Sequence, residues 1–130
     1  MILNFKSLRN TIFFLAALLF SAGASATASA TDAATLAVVR ASALPGPAQQ
    51  VLAQIQRGGP FSYAKDGVVF GNYEQILPRQ QRGYYHEYTV KTPGSRNRGA
   101  RRIVAGGNPQ TSGEYYYTED HYASFRHIVK

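Results

Sequence analysis

The sequence predicts an α+β domain in which one amphipathic helix packs on one face of a twisted antiparallel sheet. Two observations lead to this prediction. A single helical pattern occurs near residue 50, and beyond Pro60 short β-branched and aromatic segments alternate with Gly, Pro and Asn. One helix followed by successive strands is typical of α+β domains. Because an antiparallel sheet can leave one face exposed to water, we expect a ligand to lie on the face opposite the helix.

The first thirty residues have the pattern of a secretory signal peptide. Lys6 and Arg9 supply positive charge, and residues 12–20 form an unbroken apolar run. A membrane anchor is the alternative, but a helix needs about 20 apolar residues to cross a bilayer, and this run is shorter.

Small-residue cleavage sites follow the apolar run in "ASATASA", after Ala26 or Ala30. We therefore expect residues 1–30 to be removed. Residues 31–130 are then expected to form a single secreted domain that has no attachment to the membrane and is a monomer.

The elements follow in order along that domain. Residues 31–43 predict a loose lead-in with a short strand around residues 36–39. A helix is predicted over residues 48–57, with Pro47 suited to its first turn and the pair 58–59, both Gly, suited to its end. Its apolar residues share one face: Val51, Leu52 and Ile55.

Five further strands are predicted beyond Pro60. Each is a short β-branched or aromatic run bounded by residues that favour turns. They span residues 67–70, 84–92, 100–106, 114–118 and 124–129. The stretches "TPGSRNRG" and "GGNPQTSG" between them predict loops. No internal repeat and no second domain is indicated.

The charge balance favours an anionic partner. Residues 31–130 carry twelve of the fourteen basic residues and all seven acidic ones, a net charge of +5. Nine of the twelve are arginine, whose guanidinium fits phosphate oxygens in bidentate fashion. Excess positive charge also serves solubility alone, so charge by itself leaves both interpretations open.

The chain contains no cysteine. Neither a disulfide nor a thiolate metal site can therefore form, and packing alone must hold the fold. We expect no metal and no cofactor.

An anion site is predicted where two segments meet. Alternate side chains of a strand share a face. If residues 98–103 are extended, Arg98, Ala100 and Arg102 lie on one face, and the small residue leaves room for an anion. If this strand neighbours the one that contains Glu87, the carboxylate and both guanidiniums converge on the open face. A structural ion pair between Glu87 and one arginine is the alternative.

A histidine follows at the entrance to the last predicted strand. His121 is suited to proton transfer near neutral pH, although an ordinary strand-end histidine is the alternative. A carboxylate, a histidine and two arginines are the groups needed to cleave an RNA phosphodiester without a metal. His86 should face away from Glu87, and His127 has no acid or arginine cluster nearby in the sequence, so both are interpreted as structural.

The sequence resembles a known family over residues 42–128. "GPFSYAKDGVVFGNYEQILPRQQRGYYHEYTVKTPGSRNRGARRIV" followed by "EYYYTEDHYASF" is similar to the secreted microbial guanyl-preferring ribonucleases of the barnase type, above all to their small streptomycete branch. The distances from "VFGNYEQ" to the acid, to the arginine pair and to the final "DHY" agree with the family pattern. The resemblance implies the microbial ribonuclease fold.

The resemblance also implies the catalytic residues. The family's general base falls on Glu87, its phosphate-binding arginines on Arg98 and Arg102, and its general acid on His121. The adjacent Tyr122 is expected to reach the scissile phosphate.

Base recognition is expected in the loop "VFGNYEQ". Glu74 corresponds to the carboxylate that reads guanine, since guanine presents two adjacent donors, N1–H and N2–H, that a carboxylate accepts together. Phe70 would cover the face of the base. Backbone N–H groups around Gly71, Asn72 and Tyr73 would address its O6 and N7. Without the resemblance, an ordinary turn is the interpretation of this loop.

Two departures from the streptomycete relatives stand out. Those relatives join their ends by a disulfide, whereas here Arg40 stands near the first cysteine position and the sequence ends at Lys130 without a second. We expect a lower thermal midpoint than in the bridged relatives, since such a loss costs roughly 2 to 5 kcal/mol. Tyr73 replaces an arginine that flanks the base, so guanine selectivity should persist through stacking.

The expected function is that of a secreted endoribonuclease. It would cleave single-stranded RNA 3′ to guanosine through a 2′,3′-cyclic phosphate, which it then hydrolyses to a 3′-phosphate. The resemblance also suggests a small acidic inhibitor of the barstar kind as a partner, which the charge of +5 would suit. The alternative is a non-catalytic basic RNA-binding module that uses the same arginines and tyrosines for stacking.

Overall fold

The computed structural model describes residues 35–130. The predicted signal peptide, residues 1–30, and the first residues of the lead-in lie outside the described residues. The elements are β1 (Ala37–Arg40), a 3-10 helix (Ala41–Ala43), α1 (Gly46–Arg57), β2 (Val68–Val69), β3 (Tyr85–Thr89), β4 (Arg102–Gly106), β5 (Tyr115–Thr118) and β6 (Arg126–Val129). The predicted α+β class, with one helix on a mostly antiparallel sheet, is confirmed.

The six strands form one sheet in the order β1-β6-β5-β4-β3-β2. Strands β2 to β6 pair antiparallel with their neighbours in sequence. Strand β1 instead runs parallel to β6, with Ala37 opposite Arg126 and Arg40 opposite Val129. The sheet is therefore mixed at one edge, which the sequence pattern does not reveal because parallel pairing joins segments that are distant along the chain.

The helix ends as its sequence predicts but begins two residues earlier, at Gly46. Pro47 lies in the first turn of the helix. The N–H groups of a first turn have no partner within the helix, so the missing N–H of proline costs no hydrogen bond there. Gly58 adopts φ 88°, its N–H donates to the Ile55 carbonyl at 3.1 Å, and the N–H of Gly59 donates to the Gln54 carbonyl at 2.9 Å. A left-handed glycine with these two bonds is a Schellman motif, and it satisfies carbonyls that the helix end would otherwise leave free.

The strands are shorter than their sequence runs. The strand predicted over residues 84–92 corresponds to β3, which spans Tyr85–Thr89. The strand predicted over residues 100–106 corresponds to β4, which begins only at Arg102. Gly99 takes the left-handed φ of 67°, so the backbone turns there and cannot be extended through residues 98–101.

Two apolar cores lie on opposite faces of the sheet. The main core packs the helix against the sheet and includes Leu52, Ile55 and Ile103. The second lies on the other face and contains the buried residues Leu77, Tyr85, Val104, Tyr116 and Phe125. The expectation of a wholly open face is therefore wrong: the segments around residues 70–84 and 122–125 cover part of it and leave a cleft between them.

Among residues 35–130, no helix is long and apolar enough to span a membrane.

Candidate active site

The pairing of β3 with β4 brings acidic and basic side chains to one face of the sheet. Glu87 lies opposite Val104, and Thr89 lies opposite Arg102. Directly opposed residues of an antiparallel pair share a face, as do residues two apart. Glu87, Thr89 and Arg102 therefore lie on the same face, opposite to that covered by the helix. The predicted meeting of these strands is confirmed.

Arg98 reaches this face from the loop rather than from the strand. The prediction that it alternates with Arg102 along an extended segment is wrong, because the chain turns at Gly99. Its Nε and Nη2 donate to Thr89 Oγ1 at 3.1 and 2.7 Å, and Nη2 lies 3.4 Å from Glu87 Oε1. Thr89 thus orients the guanidinium beside the carboxylate. Strand alternation placed Thr89 on this face, but nothing in the sequence identified it as the anchor of Arg98.

Arg102 is 3% exposed, the only buried charged residue in the part of the chain that the structure describes. Its Nη1 donates to the carbonyls of Gly99 and Arg101 at 2.9 and 2.7 Å. Its buried Nε has no hydrogen-bond partner within residues 35–130. A buried cation without a counter-charge is costly, so this arrangement favours an anion at the site.

The turn between β5 and β6 carries the histidine and the tyrosine. His121 and Tyr122 both adopt left-handed conformations, with φ 57° and 73°. Such values are uncommon for residues other than glycine and cluster at functional sites. The N–H of His121 donates to the carbonyl of Ala100 at 3.1 Å. This bond ties the histidine backbone to the loop that carries the arginines.

Tyr122 connects the turn to the acidic and basic groups. The guanidinium carbon of Arg102 lies 5.9 Å from the centroid of the Tyr122 ring, within cation–π range. Burial raises the pKa of the Tyr122 hydroxyl and the neighbouring charge of Glu87 raises it further, while Arg102 acts in the opposite direction. The hydroxyl is therefore a stable hydrogen-bond donor at neutral pH, placed between the carboxylate and the guanidinium.

Asp120 holds the turn in this conformation. Its Oδ1 accepts bonds from Thr118 Oγ1 at 2.8 Å and from the N–H of Ser124 at 2.9 Å, and its Oδ2 accepts one from Ser124 Oγ at 2.5 Å. The Ser124 hydroxyl is the main reason that the pKa of Asp120 is lowered to about 2. The sequence motif singled out the histidine and missed this aspartate beside it.

The loop after β2 forms the predicted base-recognition segment. Asn72 has φ 52°, its Nδ2 donates to the carbonyl of Leu77 at 3.0 Å, and its Oδ1 accepts the N–H of Leu77 at 3.1 Å. The asparagine side chain is thus used within the loop. The Asn72 carbonyl also accepts the N–H of Gln75 at 2.9 Å, so the backbone N–H is the group of Asn72 left for a ligand.

This loop forms one wall of a cleft of about 570 Å³. The cleft lining includes Glu87 and Tyr122. It also includes the four predicted base-binding residues, Phe70, Asn72, Tyr73 and Glu74. The Phe70 ring stacks on the Tyr122 ring with centroids 5.0 Å apart. Tyr73 is 86% exposed at the rim. The structure therefore joins the base-recognition loop to Glu87 in one continuous surface.

Some cleft residues differ from those expected. Arg98, Arg102 and His121 are not among its lining residues. Arg98 pairs with Glu87, and Arg102 and His121 lie beside Tyr122. Five lining residues were not identified from the sequence: Val69, Ile76, Gln80, Arg82 and Phe125. In residues 35–130, no group of three or more His, Asp or Glu side chains is placed to hold a metal ion.

Comparison with known proteins identifies the class. The family model described as ribonuclease matches residues 26–129. The chain therefore belongs to the ribonuclease family.

The names of two similar relatives are more specific than that of the family, because they also state the base preference of those proteins. The chain is 60% identical over 87 residues to guanyl-specific ribonuclease Sa3 of Kitasatospora aureofaciens, an alignment that covers 67% of this chain and 60% of that protein. It is 56% identical over 88 residues to guanyl-specific ribonuclease St of Saccharopolyspora erythraea, covering 68% of this chain and 83% of the relative. The chain thus matches less than two thirds of the length of Sa3 and most of the length of St.

Solved structures give the same fold. Ribonuclease Sa2, in a study of its complexes with mononucleotides, is 52% identical with a TM-score of 0.69, over 73% of this chain and 95% of that one. Ribonuclease Sa2 with guanosine-2′-cyclophosphate is 50% identical with a TM-score of 0.66, over 72% and 96% of the two chains. The observed helix and sheet are therefore those of an α+β microbial ribonuclease.

Proposed function

We propose that this protein is an endoribonuclease that cleaves single-stranded RNA 3′ to guanosine. The observation that supports this most strongly is the junction of two sites on one face of the sheet. Glu87, ion-paired with Arg98 at 3.4 Å, lines the same cleft as the loop that carries Glu74. Membership of the ribonuclease family and the guanyl-specific relatives agree with this arrangement.

The first step is an internal transfer of the phosphoryl group. Glu87 accepts the proton of the ribose 2′-OH, and the 2′-oxygen attacks phosphorus. The bond to the 5′-oxygen of the next nucleotide breaks, and His121 donates the proton that this oxygen takes up. Arg98 and Arg102 stabilise the added negative charge on the phosphoryl oxygens, and the Tyr122 hydroxyl donates a further hydrogen bond. The products are a 2′,3′-cyclic phosphate and a free 5′-OH.

The second step reverses the proton transfers. His121, now neutral, accepts a proton from water, whose oxygen attacks the cyclic phosphate. The bond to the 2′-oxygen breaks, and Glu87 returns its proton to that oxygen, which leaves a 3′-phosphate. Because one acid and one base are needed in each step, we expect a bell-shaped dependence of kcat/KM on pH. DNA lacks the 2′-OH and is not a substrate.

Guanine is selected in the loop. Glu74 lines the cleft with its carboxylate free of ion pairs within residues 35–130, and it is proposed to accept N1–H and N2–H of guanine. Adenine has no such pair of donors. Phe70 and the exposed Tyr73 supply aromatic surface on which a splayed base stacks.

The test uses the dinucleotides GpC, ApC and CpC with purified residues 31–130 in excess EDTA. We expect GpC alone to give guanosine 2′,3′-cyclic phosphate, identified by mass. Equal cleavage of all three would contradict guanine selection, and a requirement for added metal would contradict the mechanism.

A binding module without chemistry is the second candidate, because Arg102 and the aromatic cleft would serve RNA binding equally. It predicts salt-dependent binding to RNA that stays whole. The carboxylate of Glu87 favours the enzyme, since a negative charge in a phosphate site opposes binding unless it serves proton transfer.

The setting of the enzyme is part of the proposal. The pattern of residues 1–30 supports secretion, and we propose that the mature protein acts outside the cell as a monomer. An acidic inhibitor of the barstar kind is proposed as a partner, since the net charge of +5 favours association with an acidic surface. Titration with such a protein should abolish GpC cleavage at equimolar amounts.

A further inference from the structure

A second pair of arginines, distinct from Arg98 and Arg102, lies at the cleft and at a depression beside it. Arg82 lines the cleft on the wall formed by the segment after Pro78. It also lines an adjoining depression of about 200 Å³, together with Arg79. Tyr73 lies on the boundary between the two cavities. Two exposed arginines therefore line a depression beside the base-recognition loop.

The segment that carries these arginines is held firmly in place. The Tyr85 hydroxyl donates to the carbonyl of Pro78 at 2.5 Å, and Leu77 beside it is 1% exposed. At the other end the N–H of Tyr84 donates to the carbonyl of Gln81 at 3.1 Å. The backbone between these bonds is thus positioned before any ligand arrives, which lowers the entropic cost of binding.

The two guanidiniums have no acidic partner of their own. The two ion pairs within residues 35–130 involve Arg98 and Arg126, and neither Arg79 nor Arg82 is among them. Two cations beside one small depression repel each other, and an anion between them removes that repulsion. A phosphate oxygen is the anion that RNA supplies.

We propose that Arg79 and Arg82 bind the phosphate on the 5′ side of the guanosine. This inference rests on the proposed function, in which Arg98 and Arg102 hold the 3′ phosphate and Glu74 holds the base. Arg82 lines the same cleft as Glu74 and Glu87, and the arginine pair then receives the other phosphate of the same nucleotide. The enzyme would favour a guanosine inside an RNA strand over one at a 5′-hydroxyl end.

The test compares 5′-phosphorylated pGpC with GpC. We expect kcat/KM to be about tenfold or more higher for pGpC, as for a charge-assisted contact, and to depend more steeply on salt. In the double variant Arg79→Gln/Arg82→Gln the preference should fall to within about threefold of unity. The matched control is Arg40→Gln/Arg57→Gln, which removes the same charge from exposed positions outside the cleft and should keep the preference.

A binding experiment separates this inference from the proposed function. Calorimetry with guanosine 3′,5′-bisphosphate and guanosine 3′-phosphate needs no turnover, so it tests Arg79 and Arg82 even if the protein cleaves no RNA. Tighter binding of the bisphosphate that is lost in the double variant supports the inference. Equal affinity of the parent protein for the two ligands, or a preference that survives in the double variant, would overturn it.

Discussion

The Glu87 carboxylate pairs with Arg98, and in the proposed mechanism it also takes the proton of the substrate hydroxyl. A substitution can separate these two roles. Glu87→Gln keeps the size of the side chain and an acceptor oxygen for Arg98 but cannot take a proton. We expect kcat for GpC to fall by about 10² to 10⁴-fold, the usual contribution of a general base, with the affinity for guanosine 3′-phosphate within about threefold of the parent value. Steady-state kinetics and calorimetry measure the two quantities.

Glu119→Gln is the control for that experiment. Glu119 pairs with Arg126 at 2.8 Å on the exposed surface, and such pairs contribute little to stability. The control should have the turnover of the parent. Near-normal turnover in Glu87→Gln would show that the residue is a structural ion-pair partner only.

Glu74→Gln tests base recognition at a single side chain. An amide presents one acceptor oxygen and one donor nitrogen, so it cannot accept both N1–H and N2–H of guanine. We expect kcat/KM for GpC to fall by about tenfold or more while that for ApC changes by less than about threefold. A uniform loss on both substrates would show that Glu74 does not read the base.

At the residue scale, the sequence predicts which face of a strand a side chain occupies better than it predicts the contacts that the side chain makes. Strand alternation placed Glu87 and Thr89 on one face, and the structure agrees. The way in which Arg98 reaches that face depends on the left-handed backbone at Gly99, which no periodic pattern reveals. Arg82 was missed because its position in the cleft depends on how the loop folds over the second core rather than on any motif.

The β5–β6 turn is the element on which the position of His121 depends. Asp120→Ala removes the acceptor for Thr118 and Ser124, and we expect the left-handed conformation at His121 to relax. Turnover should fall by about tenfold to hundredfold, as misplacement of a proton donor does, with KM little changed.

Asp120→Asn should restore most of this turnover, since the amide oxygen still accepts the bonds to Oδ1. Equal activity of the alanine variant and the parent would show that the turn holds its shape without the aspartate.

Asp120 in the β5–β6 turn also makes the stability of the folded protein depend on pH in the acid range. Since the pKa of Asp120 is lowered from 3.8 to about 2 in the folded protein, the folded state binds fewer protons than the unfolded state between these values. The stabilisation is complete above about pH 4 and is lost as pH falls towards 2. Thermal midpoints of Asp120→Asn should therefore fall less than those of the parent between pH 5 and pH 2.5. Parallel curves would contradict this.

Among the elements, the helix and the five later strands follow from sequence periodicity, whereas their ends and edges do not. Helix α1 was predicted to within two residues because its apolar face and its glycine end are local signals. The parallel pairing of β1 with β6 depends on contacts between distant segments. The partial cover over the second face was missed because loops with few periodic residues build it.

For the whole molecule, the pairing of β1 with β6 joins the two ends of the described chain without a covalent bond. Arg40 lies opposite Val129, and paired strands are close enough for a disulfide. We expect the double variant Arg40→Cys/Val129→Cys, once oxidised, to gain about 2 to 4 kcal/mol in free energy of unfolding. Its thermal midpoint should rise by about 8 °C or more.

The reduced form of that variant and Arg40→Ser/Val129→Ser are its controls, and both should melt near the parent value. A bridge that is confirmed by mass but leaves the midpoint unchanged would show that the edge is already restrained. Comparison of the parent with a bridged relative then tests the expectation that this chain has the lower midpoint.

The place of β6 between β1 and β5 also sets the order in which the protein can be completed during synthesis. Translation produces β1 first, yet its sole partner in the described sheet is the last of the six strands to be made. Strands β3, β4 and β5 can pair as they emerge, since each neighbours the next in sequence. Ile128, which belongs to the main core, arrives only with β6. A ribosome must therefore translate as far as residue 129 before the ribonuclease fold that it is making can close.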